Sequence, residues 1–99
     1  MTVNEIRTEQ SIQLDVEGKV DTVTAPELQN AILKAFQKSS NVILNINEVS
    51  YMSSAGLRAL LLGQKTAQSK GGSFKVVNVQ DTVMQVLNMS GFAKILNIS

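Results

Sequence analysis

No cysteine and no histidine occur among the 99 residues of this chain. Their absence removes thiolate nucleophiles, disulfides, imidazole bases and the usual zinc and copper ligands together, so neither a metal nor a cofactor is expected. Aromatic side chains are scarce too: three phenylalanines, one tyrosine and no tryptophan leave little to stack on nucleic-acid bases. Neither sign of charge is in excess, with nine basic residues against eight acidic ones and a formal net charge of +1. Lys19, Lys34, Lys38, Lys65, Lys70, Lys75 and Lys94 are scattered along the chain, and the strong positive field that nucleic acid demands is missing. Long hydrophobic runs are absent as well. The longest, Leu60-Leu61-Leu62, belongs to a helical pattern and is far too short to cross a bilayer, and the polar start from Met1 to Glu5 carries no signal-peptide pattern. The expectation is a cytoplasmic chain without direct membrane insertion and without a nucleic-acid partner.

What is present suffices for one domain over residues 1–99, because 43% of the residues are apolar and can form an ordinary core. Ile12, Leu14 and Val16 alternate with Gln13, Asp15 and Glu17, the period-two pattern of a half-buried strand, which Gly18 is expected to break. Val3 to Thr8 reads as its hairpin partner, with Glu9-Gln10 at the turn. Thr24-Ala25-Pro26-Glu27 reads as a capping box opening a helix whose apolar face is Leu28, Ala31, Ile32, Ala35 and Phe36. Val42 to Ile46 is a β-branched run suited to a central strand, and Asn47 to Met52 reads as a connection. A second helix opens at Ser53-Ser54-Ala55-Gly56-Leu57, with Leu57, Leu60, Leu61 and Ala67 as apolar positions, and closes at Gly71-Gly72. Phe74 to Asn78 is the next strand, followed by a short helix from about Asp81 with Val83, Val86 and Leu87, and Gly91 as its stop. Phe92 to Ser99 reads as a turn and a last short strand. Strands alternating with helices predict an α/β fold: a mixed sheet of four to five strands, parallel in its later part, with helices packed against it.

The most informative segment is Tyr51-Met52-Ser53-Ser54-Ala55-Gly56-Leu57-Arg58. Two hydroxyls stand where a strand hands over to a helix, near free N–H groups and the positive end of the helix dipole. One of them is an N-cap in the simplest reading; an exposed serine there is also presentable to a kinase, and a phosphate would add about −1.5 to −2 charges. Gly56, lacking a Cβ, would let another molecule approach the first turn closely. Catalysis finds no support: Ser54 has no histidine to serve as its base, no Gly-x-Ser-x-Gly elbow surrounds it, no Ser-x-x-Lys motif coincides with the pair, and no phosphate-binding Gly-x-x-x-x-Gly-Lys loop exists.

This segment resembles the signature of STAS domains, and especially of bacterial anti-sigma factor antagonists, which carry methionine, aspartate, a phosphorylatable serine, a second Ser or Thr, and then Gly-Leu. Met52, Ser54, Gly56 and Leu57 match; Ser53 stands in the place of the aspartate and Ala55 in that of the second hydroxyl. Gly18-Lys19-Val20-Asp21 looks like the family's Gly-x-Leu/Val-Asp turn, and Leu87-Asn88-Met89-Ser90-Gly91-Phe92 like its late Leu-x-x-Ser-Gly-Leu/Phe element. The family's last amphipathic helix has no counterpart after Ile98. The resemblance implies a non-enzymatic switch that binds an anti-sigma factor serine kinase when bare, releases it when Ser54 is phosphorylated, and is reset by a serine phosphatase. Asp21, Thr22, Ser53, Ser54, Ala55, Gly56 and Arg58 are the partner-binding positions it implies. The alternative within the same fold is an unphosphorylated STAS interaction subunit of a membrane transporter or signalling scaffold.

Overall fold

The computed structural model describes residues 1–98. In chain order the elements are β1 (Thr2–Arg7), β2 (Ile12–Val20), α1 (Ala25–Lys38), β3 (Asn41–Met52), α2 (Ser54–Lys70), β4 (Ser73–Val77), α3 (Asp81–Ser90), a 3-10 turn (Phe92–Lys94) and β5 (Asn97–Ile98). The strands form a single sheet in the order β1-β2-β3-β4-β5. β1 and β2 make the antiparallel hairpin expected from the alternation, its turn closed by the Thr8 N–H donating to the Ser11 carbonyl at 2.9 Å. Every later pairing is parallel, so each needs a crossover, and α1, α2 and α3 supply them.

The inner face of the sheet carries Ile12, Leu14, Val16, Val42, Leu44, Ile46, Phe74 and Val76, all buried, and they merge with Leu28, Ile32, Phe36, Leu60, Val83 and Leu87 of the helices into one core. The alternate residues line the outer face. There Asp15 Oδ1 accepts from Gln13 Nε2 at 2.8 Å and Asn45 Nδ2 at 3.0 Å, while Asn45 Oδ1 accepts from Asn78 Nδ2 at 3.0 Å. This polar ladder satisfies the side chains that the pleat turns away from the core. At the edge, Glu5 of β1 pairs with Lys38 in the last turn of α1 at 3.1 Å.

Three local expectations are corrected. Asn47 to Met52 is not a connection but the second half of β3, which runs twelve residues. It holds two residues more than β2 needs: Asp15 and Glu17 face Asn45 and Glu48, and Gly18 and Lys19 face Val49 and Tyr51. Each extra residue interrupts the period-two pattern that would have marked a strand. Gly18 does not end β2 either; it sits inside the strand at φ +104°, a value that suits glycine at such an irregularity.

The third correction concerns the start of α1. Thr24 precedes the helix but makes no side-chain cap, because its backbone is already helical (φ −90°, ψ −19°) and the Glu27 N–H that a capping box would use donates to the Thr24 carbonyl at 3.0 Å instead. Asp21 does the work instead. Its Oδ1 accepts from the Val23 and Thr24 amides at 3.0 and 2.9 Å, and the Thr24 hydroxyl accepts from the Asp21 amide at 2.9 Å. The other helix ends follow the sequence signals. Gly71 closes α2 at φ +69°, with the Gly72 N–H returning to the Ala67 carbonyl at 2.9 Å, and Gly91 closes α3 at φ +82°. Among the described residues no helix is long and apolar enough to cross a membrane.

Candidate functional site

Parallel strands deliver all their strand-to-helix loops to one end of the sheet, and two of those loops meet here. Val20 and Met52 are register partners at the ends of β2 and β3, and the Ser53 N–H donates to the Val20 carbonyl at 2.8 Å. The turn beginning at Asp21 is thereby held against the start of α2. The third loop is tied in as well: Gln80 Nε2 donates to the Asn47 carbonyl at 2.6 Å, and the Thr82 hydroxyl to the Ser50 carbonyl at 3.3 Å.

Which of the two serines caps α2 is settled by hydrogen bonding. Ser53 is extended (φ −82°, ψ 172°) and its hydroxyl accepts from the Gly56 N–H at 3.3 Å, so it is the N-cap. Ser54 is the first helical residue and is exposed, and among the described residues its hydroxyl makes no hydrogen bond. One hydroxyl is used by the fold; its neighbour is free. The first turn of α2 contains no acidic residue, so the partial positive charge of the helix start is unopposed from within.

Of the other residues singled out, Thr22 and Arg58 are exposed, Asp21 and Ala55 half-buried, and all belong to these two loops or the first turns of α2. Hydrogen bonds from the Thr24 amide first, then the Thr24 hydroxyl, hold the Asp21 carboxyl below its ordinary 3.8, so it is ionised at neutral pH. Gly56 is placed differently from the expectation. It is buried, and a Cβ there would lie 2.6 Å from Met52 Sδ and 2.8 Å from Val20 Cγ1. Its missing side chain lets α2 approach the sheet from within rather than letting a visitor approach from outside.

Two side chains at this end escaped the reading of the sequence. Val23, 82% exposed, projects from the Asp21 turn, and Tyr51, 50% exposed, stands just before the serines. The available signal for Val23 was a lone apolar residue among turn formers in Asp21-Thr22-Val23-Thr24. Tyr51 is hidden in the sequence because the extra residues of β3 interrupt the alternation that would mark its strand.

Residues 4–99 match the family model described as the STAS domain. The chain belongs to the STAS domain family. An anti-sigma-B factor antagonist of Bacillus subtilis (strain 168) is 28% identical over 91 residues, which is 92% of this STAS domain and 84% of the relative. An anti-sigma F factor antagonist of Paenibacillus polymyxa is 30% identical over 83 residues, covering 82% of this domain and 71% of the relative. The solved structure of the anti-sigma factor antagonist SpoIIAA in its unphosphorylated form superposes with a TM-score of 0.83 over 99% of this domain and 88% of that chain, at 19% identity, which shows a shared fold. The five-stranded mixed sheet with three helices is therefore the STAS architecture, as the motifs implied.

Proposed function

We propose that this STAS domain is an anti-sigma factor antagonist whose affinity for an anti-sigma factor serine kinase is set by phosphorylation of Ser54. The observation that carries the reading is the division of labour at the start of α2: Ser53 caps the helix and leaves the Ser54 hydroxyl exposed and unbonded, in the motif position of the family's accepting serine. The names of the relatives at 28% and 30% identity support the choice of partner.

The chemistry follows from that geometry. Ser54 Oγ attacks the γ-phosphorus of ATP on the kinase, ADP leaves, and the hydroxyl proton passes to a base on the kinase; the domain is an acceptor and not a catalyst. In the bare state Thr22, Val23, Tyr51, Ser54, Ala55 and Arg58 present a neutral to weakly basic surface with two exposed apolar side chains, suited to a partly dry interface. A phosphate at its centre places about −1.5 to −2 charges where water would be excluded. Burying such a charge without a partner costs several kcal/mol, and a loss of about 1.4 kcal/mol already weakens binding tenfold. Asp21 holds the neighbouring turn in place, and a serine phosphatase restores the binding form in the cytoplasm.

The test is to incubate the domain with candidate anti-sigma factor serine kinases from the same organism and ATP, follow intact mass, and map the modified residue in the parent, Ser54→Ala and Ser53→Ala. Phosphate on Ser54 that disappears only in Ser54→Ala is the expected outcome. No modification by any of these kinases would contradict the switch and leave the constitutive interaction subunit as the reading.

A further inference from the structure

The helix that carries Ser54 has an unusual charge pattern. From Ser54 to Lys70, α2 contains Arg58, Lys65 and Lys70 and no aspartate or glutamate. Arg58 therefore has no carboxylate three or four residues away on either side, where a helical ion pair would form. It is exposed, and among the described residues it makes no ion pair with any other element. Four residues before it, on the same face and one turn nearer the N-terminus, stands the free hydroxyl of Ser54.

We infer that Arg58 is an internal clamp for a phosphate on Ser54. The inference rests on Ser54 being the modified residue. An anion placed four residues N-terminal to a cation is the favourable orientation of a helical pair, and a guanidinium can give a phosphate two parallel hydrogen bonds. With no competing acid on its helix, Arg58 is available for that role. The clamp gives the phosphorylated form an order of its own: the phosphate is held along α2, and the guanidinium that was open to a partner is withdrawn with it. Modification thus changes two groups of the binding surface, adding an anion at Ser54 and occupying the cation at Arg58.

The experiment installs phosphoserine at position 54 during translation, so that no kinase is needed, and follows the second ionisation of the phosphate by phosphorus NMR. Arg58 favours the dianion, so the parent should titrate lower than Arg58→Gln, by roughly 0.15 to 0.4 pH units for a pair of this kind. Arg58→Lys should fall between them, and the difference should shrink in about 1 M salt, where the screening length is about 3 Å. Lys19, Asp21, Glu27, Glu48 and Asp81, the charged groups toward this end on β2, β3 and the helix starts, are unchanged in all three proteins, which isolates Arg58. Circular dichroism verifies that each variant is folded, as expected for an exposed position. Coincident midpoints for the parent and Arg58→Gln would overturn the clamp, whatever a kinase does to Ser54. Conversely, a clear shift together with a kinase that ignores Ser54 would refute the switch and leave the pairing geometry standing.

Discussion

Gly63→Ala should destabilise this domain, although replacing glycine in a helix ordinarily does the opposite. In an open helical position the swap gains about 1 kcal/mol. At position 63 the new Cβ would lie 2.8, 2.9 and 3.0 Å from three ring atoms of Phe74. That ring has nowhere to go: Phe74 is buried, and it packs against Phe36 with centroids 6.0 Å apart at 46°. Overpacking of this kind costs about 1 to 3 kcal/mol, so the net loss should be about 1 kcal/mol. For a domain of this size that is a fall in Tm of about 4 to 8 °C. Urea denaturation should show a lower midpoint with an unchanged slope. Combining Gly63→Ala with Phe74→Leu should cost less than the sum of the two single changes, by at least about 0.5 kcal/mol, because the shorter side chain vacates the contested space. A Gly63→Ala protein as stable as the parent, or strictly additive changes, would refute the view that this contact sets how closely α2, and with it Ser54, sits on the sheet.

Other perturbations separate the parts of the site. Ser53→Ala should cost about 1 kcal/mol in denaturation experiments because a helix cap is lost, whereas Ser54→Ala should stay within about 0.5 kcal/mol of the parent; the reverse order would exchange the roles of the two serines. Asp21→Ala should lower the Tm at pH 7, and the gap should narrow in acid. The folded-state pKa of Asp21 lies below 3.8, so its contribution is fully present above that value and is lost as pH falls through the depressed one. A gap that persists unchanged well below pH 3.8 would show that charge on Asp21 is irrelevant. Glu17 and Glu48 face one another across β2 and β3. Glu48→Lys should therefore raise stability by roughly 0.5 kcal/mol at low salt, measured by thermal melts, and an unchanged melt would show that the two carboxylates do not interact.

Much of this architecture was legible because most segments obey one period. Ile12, Leu14 and Val16 announced a strand, Leu28, Ile32, Ala35 and Phe36 the face of α1, and Gly71 and Gly91 the stops of α2 and α3, each at the place the structure shows. The failures share a cause. The second half of β3 carries two extra residues, and Gly18 sits at an irregularity of its partner, so neither local pattern can show its pairing; only the register across two strands does. The same holds at the site. The motif located the two serines, but which one caps depends on backbone angles, and the inward role of Gly56 depends on Met52 and Val20 from two other segments. Asp21 rather than Thr24 supplies the accepting side chain at the start of α1, because Thr24 is already helical and the Glu27 N–H bonds its carbonyl instead of its hydroxyl.

The proposed switch turns on Ser54 as the group that decides whether a partner binds. The most direct measurement is calorimetric titration of the anti-sigma factor kinase that binds this domain with the bare form and with the same domain carrying phosphoserine at position 54. The bare domain should bind and the phosphorylated one should be weaker by about a hundredfold or more, corresponding to about 2.8 kcal/mol or more lost at the interface. Equal affinity for the two forms would contradict the switch.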